Sequence, residues 1–293
     1  MEDFFNYLTS SQEDKDWGLF LTVTGRYTSH PHSAYPKRSH PSGYYFEWEH
    51  GRVLDEYQIN YITEGSGILQ TNDDEYEIKP GSIMVIQPGM KHRYKPDPEV
   101  GWTENYIGFK GHLADHFMQK TLDELKTKPL IHCGSQLEFL DSYHKIYELV
   151  LDQKPSYQKI SSGLLLKLFG YIDSFLKSQQ FEGKEVDALI NEAKNYMWEN
   201  VNHEADFHEF SRQHNVSYSY FRKVFKLYTG LAPHQFFLDL KMMRAKELIV
   251  ATEIPVKEIT YKLGFDSIHY FSRLFKKKTG QSPTDLRKQN VTE

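Results

Sequence analysis

The sequence predicts an α+β chain of two domains, and three observations carry that fold class. At 293 residues the chain exceeds one ordinary domain of about 150. Residues 44–109 are rich in aromatic and β-branched side chains broken by turn signals, whereas from His112 onward apolar residues recur three and four apart. Near the C terminus one segment occurs twice: Ser-Tyr-Ser-Tyr-Phe-Arg-Lys-Val-Phe-Lys at 217–226 returns fifty positions later as Ser-Ile-His-Tyr-Phe-Ser-Arg-Leu-Phe-Lys at 267–276. Each copy runs on to Thr-Gly and a proline, as Thr229, Gly230 and Pro233 and then Thr279, Gly280 and Pro283. The same helix and the same stop signal are built twice, which calls for a paired structural task.

The first domain is expected over 1–180. Its short strands, at about 20–111, are separated by Glu64-Gly65-Ser66-Gly67, Thr71-Asn72-Asp73-Asp74, Lys79-Pro80-Gly81, Gln87-Pro88-Gly89 and Pro96-Asp97-Pro98, the spacing of a β-sandwich or β-barrel. Amphipathic helices follow at 112–125, 137–151 and 157–176; in the second, Leu137, Leu140, Tyr143, Tyr147 and Val150 share a face. The polar stretch 179–184, with Gly183, places the boundary. From 184 to 293 the pattern is all helix: 186–200, 206–213, 217–228, 233–251, 256–262, 267–278 and a last piece from Pro283. Pro233, Pro255 and Pro283 stand at or near first helical positions, where the missing N–H costs nothing. Asp206 with Glu209, and Ser217, read as N-caps.

Composition narrows the function. Hydrophobic residues at 39% and charged ones at 26% are those of a globular chain. The acidic start, with Glu2, Asp3, Glu13, Asp14 and Asp16, is the wrong charge for a signal peptide, and no apolar run approaches about 18 residues. A cytoplasmic protein without membrane contact is expected. Cys133 is the only cysteine, which excludes an internal disulfide and a cysteine-rich zinc site and reads as a small core residue. The net charge of −5 divides unevenly: 17 Lys and Arg against 14 Asp and Glu from Lys184 onward leave 18 against 26 before it. The second domain is mildly basic on an acidic protein.

Each repeat holds a short helix, a bend and a second helix. Asn215-Val216 and Gly264-Phe265 occupy the bends, where Asn and Gly tolerate the left-handed backbone of a sharp turn. This is a helix-turn-helix, twice. Phe221, Val224, Phe225 and Tyr228 form an apolar face, as do Phe271, Leu274, Phe275 and the Lys278 stem. The opposite faces carry Tyr218, Ser219, Arg222, Lys223 and Lys226, and Ile268, His269, Ser272, Arg273, Lys276 and Lys277. Residues at the helix start suit base edges and the later cations suit phosphates. One such face reads as well as a solvated charged surface. Two at corresponding positions, joined by the helix at 233–251, favour double-stranded DNA, with heads about 34 Å apart, one turn of B-DNA.

Arg244-Ala245-Lys246-Glu247-Leu248, Ile259-Thr260-Tyr261-Lys262-Leu263-Gly264-Phe265 and the run from Tyr270 to Pro283 resemble the DNA-binding signature of the AraC/XylS transcription regulators. Thr260, and Ser211 in the first copy, depart from the alanine usual in that family but are small enough to keep the packing. Residues 81–92, ending in His92, have the form of a second cupin motif, and 57–110 as a whole resembles the sugar-sensing cupin domain of such regulators. The resemblance implies a cupin-like β-barrel with trailing helices that dimerise, and a DNA-binding domain that acts on promoters with RNA polymerase.

Cupin enzymes hold a metal with histidines and a glutamate on an earlier strand, yet 57–77 contains no histidine. No metal or other cofactor is expected, and His92 reads as a satisfied turn histidine; His30, His32 and His40 keep a metal alternative open. The barrel interior would then suit a small polar ligand. The resemblance points to Tyr94, Glu104 and Tyr106 as pocket residues, with Trp48 and Arg52 added by position. Trp102, Glu104 and Tyr106 alternate on one strand face, with Tyr94 expected on the neighbouring strand. No Ser-His-Asp or Cys-His arrangement stands out, so no enzyme is expected; the resemblance implies a homodimeric, sugar-responsive activator. The rivals are a metal-dependent cupin enzyme fused to a DNA-binding module and a regulator controlled by a protein partner. A further alternative is that the helices after the barrel simply cap it.

Overall fold

The computed structural model describes residues 3–33, 35, 46–71, 74–179 and 185–291. The chain divides into two compact units, Met1–Ser178 and Gln179–Glu293. No helix among the described residues is long and apolar enough to cross a membrane.

The described residues of the first unit form ten strands: β1 Phe4–Tyr7, β2 Phe20–Ser29, β3 Arg52–Val53, β4 Tyr57–Gly65, β5 Gly67–Gln70, β6 Glu75–Ile78, β7 Ser82–Ile86, β8 Lys91–Pro96, β9 Trp102–Lys110 and β10 Leu130–His132. They form a six-stranded sheet in the order β1-β2-β9-β4-β7-β10 and a four-stranded sheet in the order β3-β8-β5-β6, with every pairing antiparallel. The arrangement is cupin-like, but the ladders make two facing sheets rather than one closed ring. Tyr94 therefore does not neighbour the Glu104 strand: β8 belongs to the small sheet and β9 to the large one. The two strands meet across the interior.

Strand alternation gives the large sheet two different faces. Leu21, Tyr57, Ile59, Tyr61, Ile83, Val85, Ile107 and Phe109 point into the main core. That core is covered by α2 His112–Lys120, α3 Leu137–Asp152 and α4 Tyr157–Gln179, while α1 Gln12–Trp17 precedes β2. The remaining turn expected after Lys120 is a short 3-10 piece at Asp123–Lys126. Buried tyrosines pin α3 to the sheet: Tyr143 Oη donates to the Ile59 carbonyl at 3.0 Å and Tyr147 Oη to that of Gly25 at 2.9 Å. The register of β2 slips between Leu21 and Val23, and there Gln158 of α4 stands in for a strand partner. It accepts from Leu21 N at 2.9 Å and donates to Leu21 O at 3.1 Å. Cys133 is half-buried, and burial pushes its thiol up to about 12.

The second unit is all helix: α5 Glu185–Glu199, α6 Phe207–Gln213, α7 Tyr218–Thr229, α8 Pro233–Ala251, α9 Val256–Lys262, α10 Ile268–Thr279 and α11 Pro283–Val291. The duplication reaches single hydrogen bonds. Ser217 and Ser267 cap α7 and α10 by accepting from the N–H groups of Tyr220 and Tyr270. Gly230 and Gly280 end the same helices at φ 80° and 86°. Thr229 and Thr279 each donate to the carbonyl four residues back. Asn215 and Gly264 take φ values of 56° and 70° in the two bends, as sharp turns between helices require.

Ser211 and Thr260, fully buried where an alanine was the reference, bond to the carbonyls of Phe207 and Val256 at 2.7 and 2.8 Å. No donor is stranded, so the hydroxyls fit the core. Phe210, Phe221, Val224, Phe225, Phe237 and Leu240 belong to one core, and Met242, Ala245, Leu248, Ile259, Phe271 and Phe275 to another. Two expected core positions differ: Tyr228 is exposed under Lys194, and Lys278 pairs with Asp239 of α8 at 2.7 Å.

Candidate functional site

Two groups of side chains have chemistry that packing alone does not require. The first lies between the sheets. β9 turns Trp102, Glu104 and Tyr106 toward the small sheet, β4 turns Gln58 and Asn60 the same way, and β8 supplies His92 and Tyr94 from the opposite side; all are buried. Arg52, on β3, enters beside them. Its Nε donates to His92 Nε2 at 3.1 Å and its Nη2 to Tyr94 Oη at 2.6 Å, and its guanidinium lies over the Phe46 and Tyr94 rings at 5.2 and 5.1 Å. Asn60 Nδ2 donates to Tyr94 Oη at 3.3 Å, and Gln58 Nε2 to Glu56 Oε1 at 2.9 Å.

Arginine only donates, so His92 Nε2 is an acceptor. The proton then sits on Nδ1, which donates to the Met90 carbonyl at 2.9 Å. Burial, and after it the Arg52 charge, hold the imidazole neutral with a pKa lowered to about 3. Both nitrogens of His92 are engaged, and the residue lies in β8 rather than in a turn. His32 lies apart from it, on the surface beside Glu99 at 3.6 Å; His40 falls outside the described residues. Among the described residues no group of three or more His, Cys, Asp or Glu stands together as a metal site.

Glu104 is the opposite case. Burial raises its carboxyl from 4.5 to about 7, while Arg52 and the Tyr35 and Asn60 side chains pull the other way. Oε1 accepts from Tyr35 Oη at 3.4 Å, whereas Oε2 is buried with no hydrogen-bond partner among the described residues. Asn60 Oδ1 and Trp102 Nε1 are also buried without a partner among the described residues, and an orphaned buried polar atom costs about 1–3 kcal/mol. Tyr35, Tyr94 and Trp102 stand with ring centres 5.6–6.3 Å apart around them.

Of the expected pocket residues, Tyr94, Glu104, Tyr106 and Arg52 are thus brought together. Trp48 is not. Its indole is covered by Arg93 and Lys95, with their cationic atoms 4.7 and 4.0 Å from the ring centre, and both project from the face of β8 opposite Tyr94. Asn60, Gln58 and Tyr35 were missed. The alternation Tyr57-Gln58-Ile59-Asn60-Tyr61-Ile62 held the signal for the first two, because amides at every second position of an apolar strand mark a polar face.

The second group lies on α7 and α10. Ser219, Arg222, Lys223 and Lys226 are exposed on α7, and His269, Arg273, Lys276 and Lys277 on α10; Ser272 and Ile268 are half-buried. Tyr218 is half-buried too, its ring 4.0 Å from that of His208 and packed on the first core. The cations on each helix therefore share a solvent face opposite the phenylalanines.

Residues 31–169 match the pattern described as the AraC-like ligand binding domain, and residues 210–289 match a helix-turn-helix domain. The chain belongs to the AraC/XylS family of transcription regulators. Relatives of this AraC-type chain are regulators along most of its length, and neither they nor the two matched domains are enzymes. The Msm operon regulatory protein of Streptococcus mutans is 25% identical over 81% of this chain and 86% of its own. The transcriptional activator RhaR of Mannheimia succiniciproducens is 25% identical over 80% and 85%. The arabinose operon regulatory protein of Escherichia coli is 23% identical over 79% and 80%. The protein is thus a transcription regulator with a ligand-binding domain and a helix-turn-helix domain that binds DNA.

Proposed function

We propose that this regulator binds a small polar effector, a sugar by class, between the two sheets of its first domain, and activates transcription by RNA polymerase from promoters read by its second. Domain limits of about 1–180 and 184–293 suit these roles. One observation carries the effector half: a buried carboxyl oxygen, an amide oxygen and an indole N–H have no hydrogen-bond partner among the described residues and stand inside a ring of aromatic side chains. Hydroxyls of a sugar supply the missing donors and acceptors, and its C–H faces stack on the rings. The names of two relatives, an arabinose operon regulator and a transcriptional activator, support the sugar class and the direction of control. The exposed Leu137, Leu151, Ile160 and Leu166 of α3 and α4 support a homodimer through that face.

Thermal unfolding against a panel of sugars tests the effector. A ligand present at 100 times its dissociation constant stabilises the folded chain by about 2.7 kcal/mol. No shift across hexoses, pentoses and their phosphates would remove the sugar reading.

For the DNA half, Tyr218, Ser219 and Arg222, and Ile268, His269 and Ser272, are assigned to base edges. Lys223, Lys226, Arg273, Lys276 and Lys277 are assigned to phosphates. Arg222→Ala is then expected to relax base preference and to cost about 1–3 kcal/mol, whereas Lys277→Ala weakens all sequences alike and lowers the salt slope by about one. Competition binding at several salt concentrations separates the two; equal losses of preference would defeat the assignment.

A further inference from the structure

The two cores of the DNA-binding unit meet on one helix. Phe237 and Leu240 of α8 belong to the first core, and Met242 and Ala245 to the second. Lys241 stands at the handover and is only 4% exposed. A buried lysine is costly unless its ammonium is engaged. Here Nζ donates to the Leu263 carbonyl at 2.7 Å and lies 4.9 and 5.2 Å from the ring centres of Phe237 and Phe265. One of those rings comes from each core.

Leu263 closes α9, and Gly264 beside it makes the bend that aims α10. A Cβ on Gly264 would sit 3.2 Å from Lys241 Nζ, 3.4 Å from the His203 carbonyl carbon and 3.6 Å from Asn202 O. The second bend is therefore seated against both the linker helix and the loop between α5 and α6 of the first copy. Next to this contact the halves are parted by a cavity of about 550 Å³ that includes Glu204, His234, Asp266 and Tyr270 in its lining. Among the described residues the two apolar clusters remain separate. The Asp239–Lys278 pair also ties α10 to α8, but its side chains are 33% and 30% exposed, and such pairs contribute little. In the first copy His214, at the position of Leu263, meets Glu192 of α5 at 2.6 Å. That tie stays within its own half.

We propose that Lys241 is a positioning residue for DNA recognition, a buried tie from the linker helix to the second bend that holds the second reading head in fixed phase with the first. The proposal rests on the reading that α7 and α10 both contact DNA. Its readout is spacing: one inserted base pair turns the second half-site by about 34° and moves it about 3.4 Å. A tied pair of heads cannot follow that change, and an untied pair can.

The test uses the full chain and a duplex selected from a random pool by the wild-type protein, with its half-sites located by scrambling each in turn. Wild type should lose about tenfold or more in affinity on a one-base-pair insertion between the half-sites. Lys241→Met should bind the selected duplex more weakly, lose less than about threefold on the insertion, and equal wild type on a duplex whose second half-site is scrambled. Lys241→Gln, with a stem one bond shorter, should do the same if the methionine variant fails to melt cooperatively. Lys241→Arg keeps a donor within reach and should retain the spacing preference. Unchanged spacing discrimination in folded Lys241→Met or Lys241→Gln overturns the proposal. A wild type indifferent to scrambling of either half-site overturns the two-headed reading, and the proposal with it.

Discussion

Arg52→Ala is expected to lower stability by about 2–4 kcal/mol and to abolish any response to the effector. The substitution leaves His92 Nε2 without its donor at 3.1 Å and Tyr94 Oη with only the longer Asn60 bond at 3.3 Å in place of the Arg52 bond at 2.6 Å. A buried acceptor left unpaired costs about 1–3 kcal/mol, and the guanidinium stacked over Phe46 and Tyr94 is lost as well. For a unit of this size the melting temperature falls by about 2–4 °C per kcal/mol, which scanning calorimetry resolves. The change also has an electrostatic signature. The Arg52 charge helps to hold His92 below the ordinary histidine range and restrains the rise at Glu104. Its removal lets the His92 pKa recover and drives that of Glu104 further up, which titration followed by NMR would register. A melting temperature within a degree of wild type would mean that these bonds do not hold the interior together.

Glu104→Gln should make the chain more stable above neutral pH and remove a pH dependence. Burial raises the carboxyl from 4.5 to about 7, so between those values the folded chain keeps a proton that the unfolded chain has released. Stability therefore falls as pH rises from about 4.5 to about 7, and the full penalty is present above it. At about 1.4 kcal/mol per pKa unit the penalty is about 3 kcal/mol. The glutamine variant carries no such charge and should equal wild type near pH 4.5 but exceed it by up to about 3 kcal/mol at pH 8. Urea unfolding at the two pH values measures the difference; parallel wild-type and variant curves would sink this account of Glu104. Near neutral pH the carboxyl is part protonated, so in the proposed pocket it would donate to an effector as well as accept.

The DNA-binding half was legible almost residue by residue because its signals are local. Caps at Ser217 and Ser267, left-handed stops at Gly230 and Gly280 and a phenylalanine stripe at helical spacing all act within a turn or two of chain. The sensor half was legible only as strands. Which sheet a strand joins depends on pairing across the chain, and nothing in the run from Lys91 to Pro96 says that Tyr94 faces Glu104 from another sheet. Trp48 was misplaced for the same reason, since its partners Arg93 and Lys95 alternate with Tyr94 and carry it to the opposite face. The short strands β1 and β10, with four and three residues, give too few positions for an alternation to register. Each exists because a longer strand offers it an edge.

Two cores strung on one helix also bear on how such a chain can change over generations. Substitutions that repack Phe221, Val224 and Phe225 need not disturb Phe271 and Phe275, because the clusters share a helix and no side chains. If each copy reads its own half-site as proposed, one can drift toward a new operator half-site while the other continues to hold the old one. Divergence between Tyr218, Ser219 and Arg222 and their counterparts Ile268, His269 and Ser272 is the record such independence would leave.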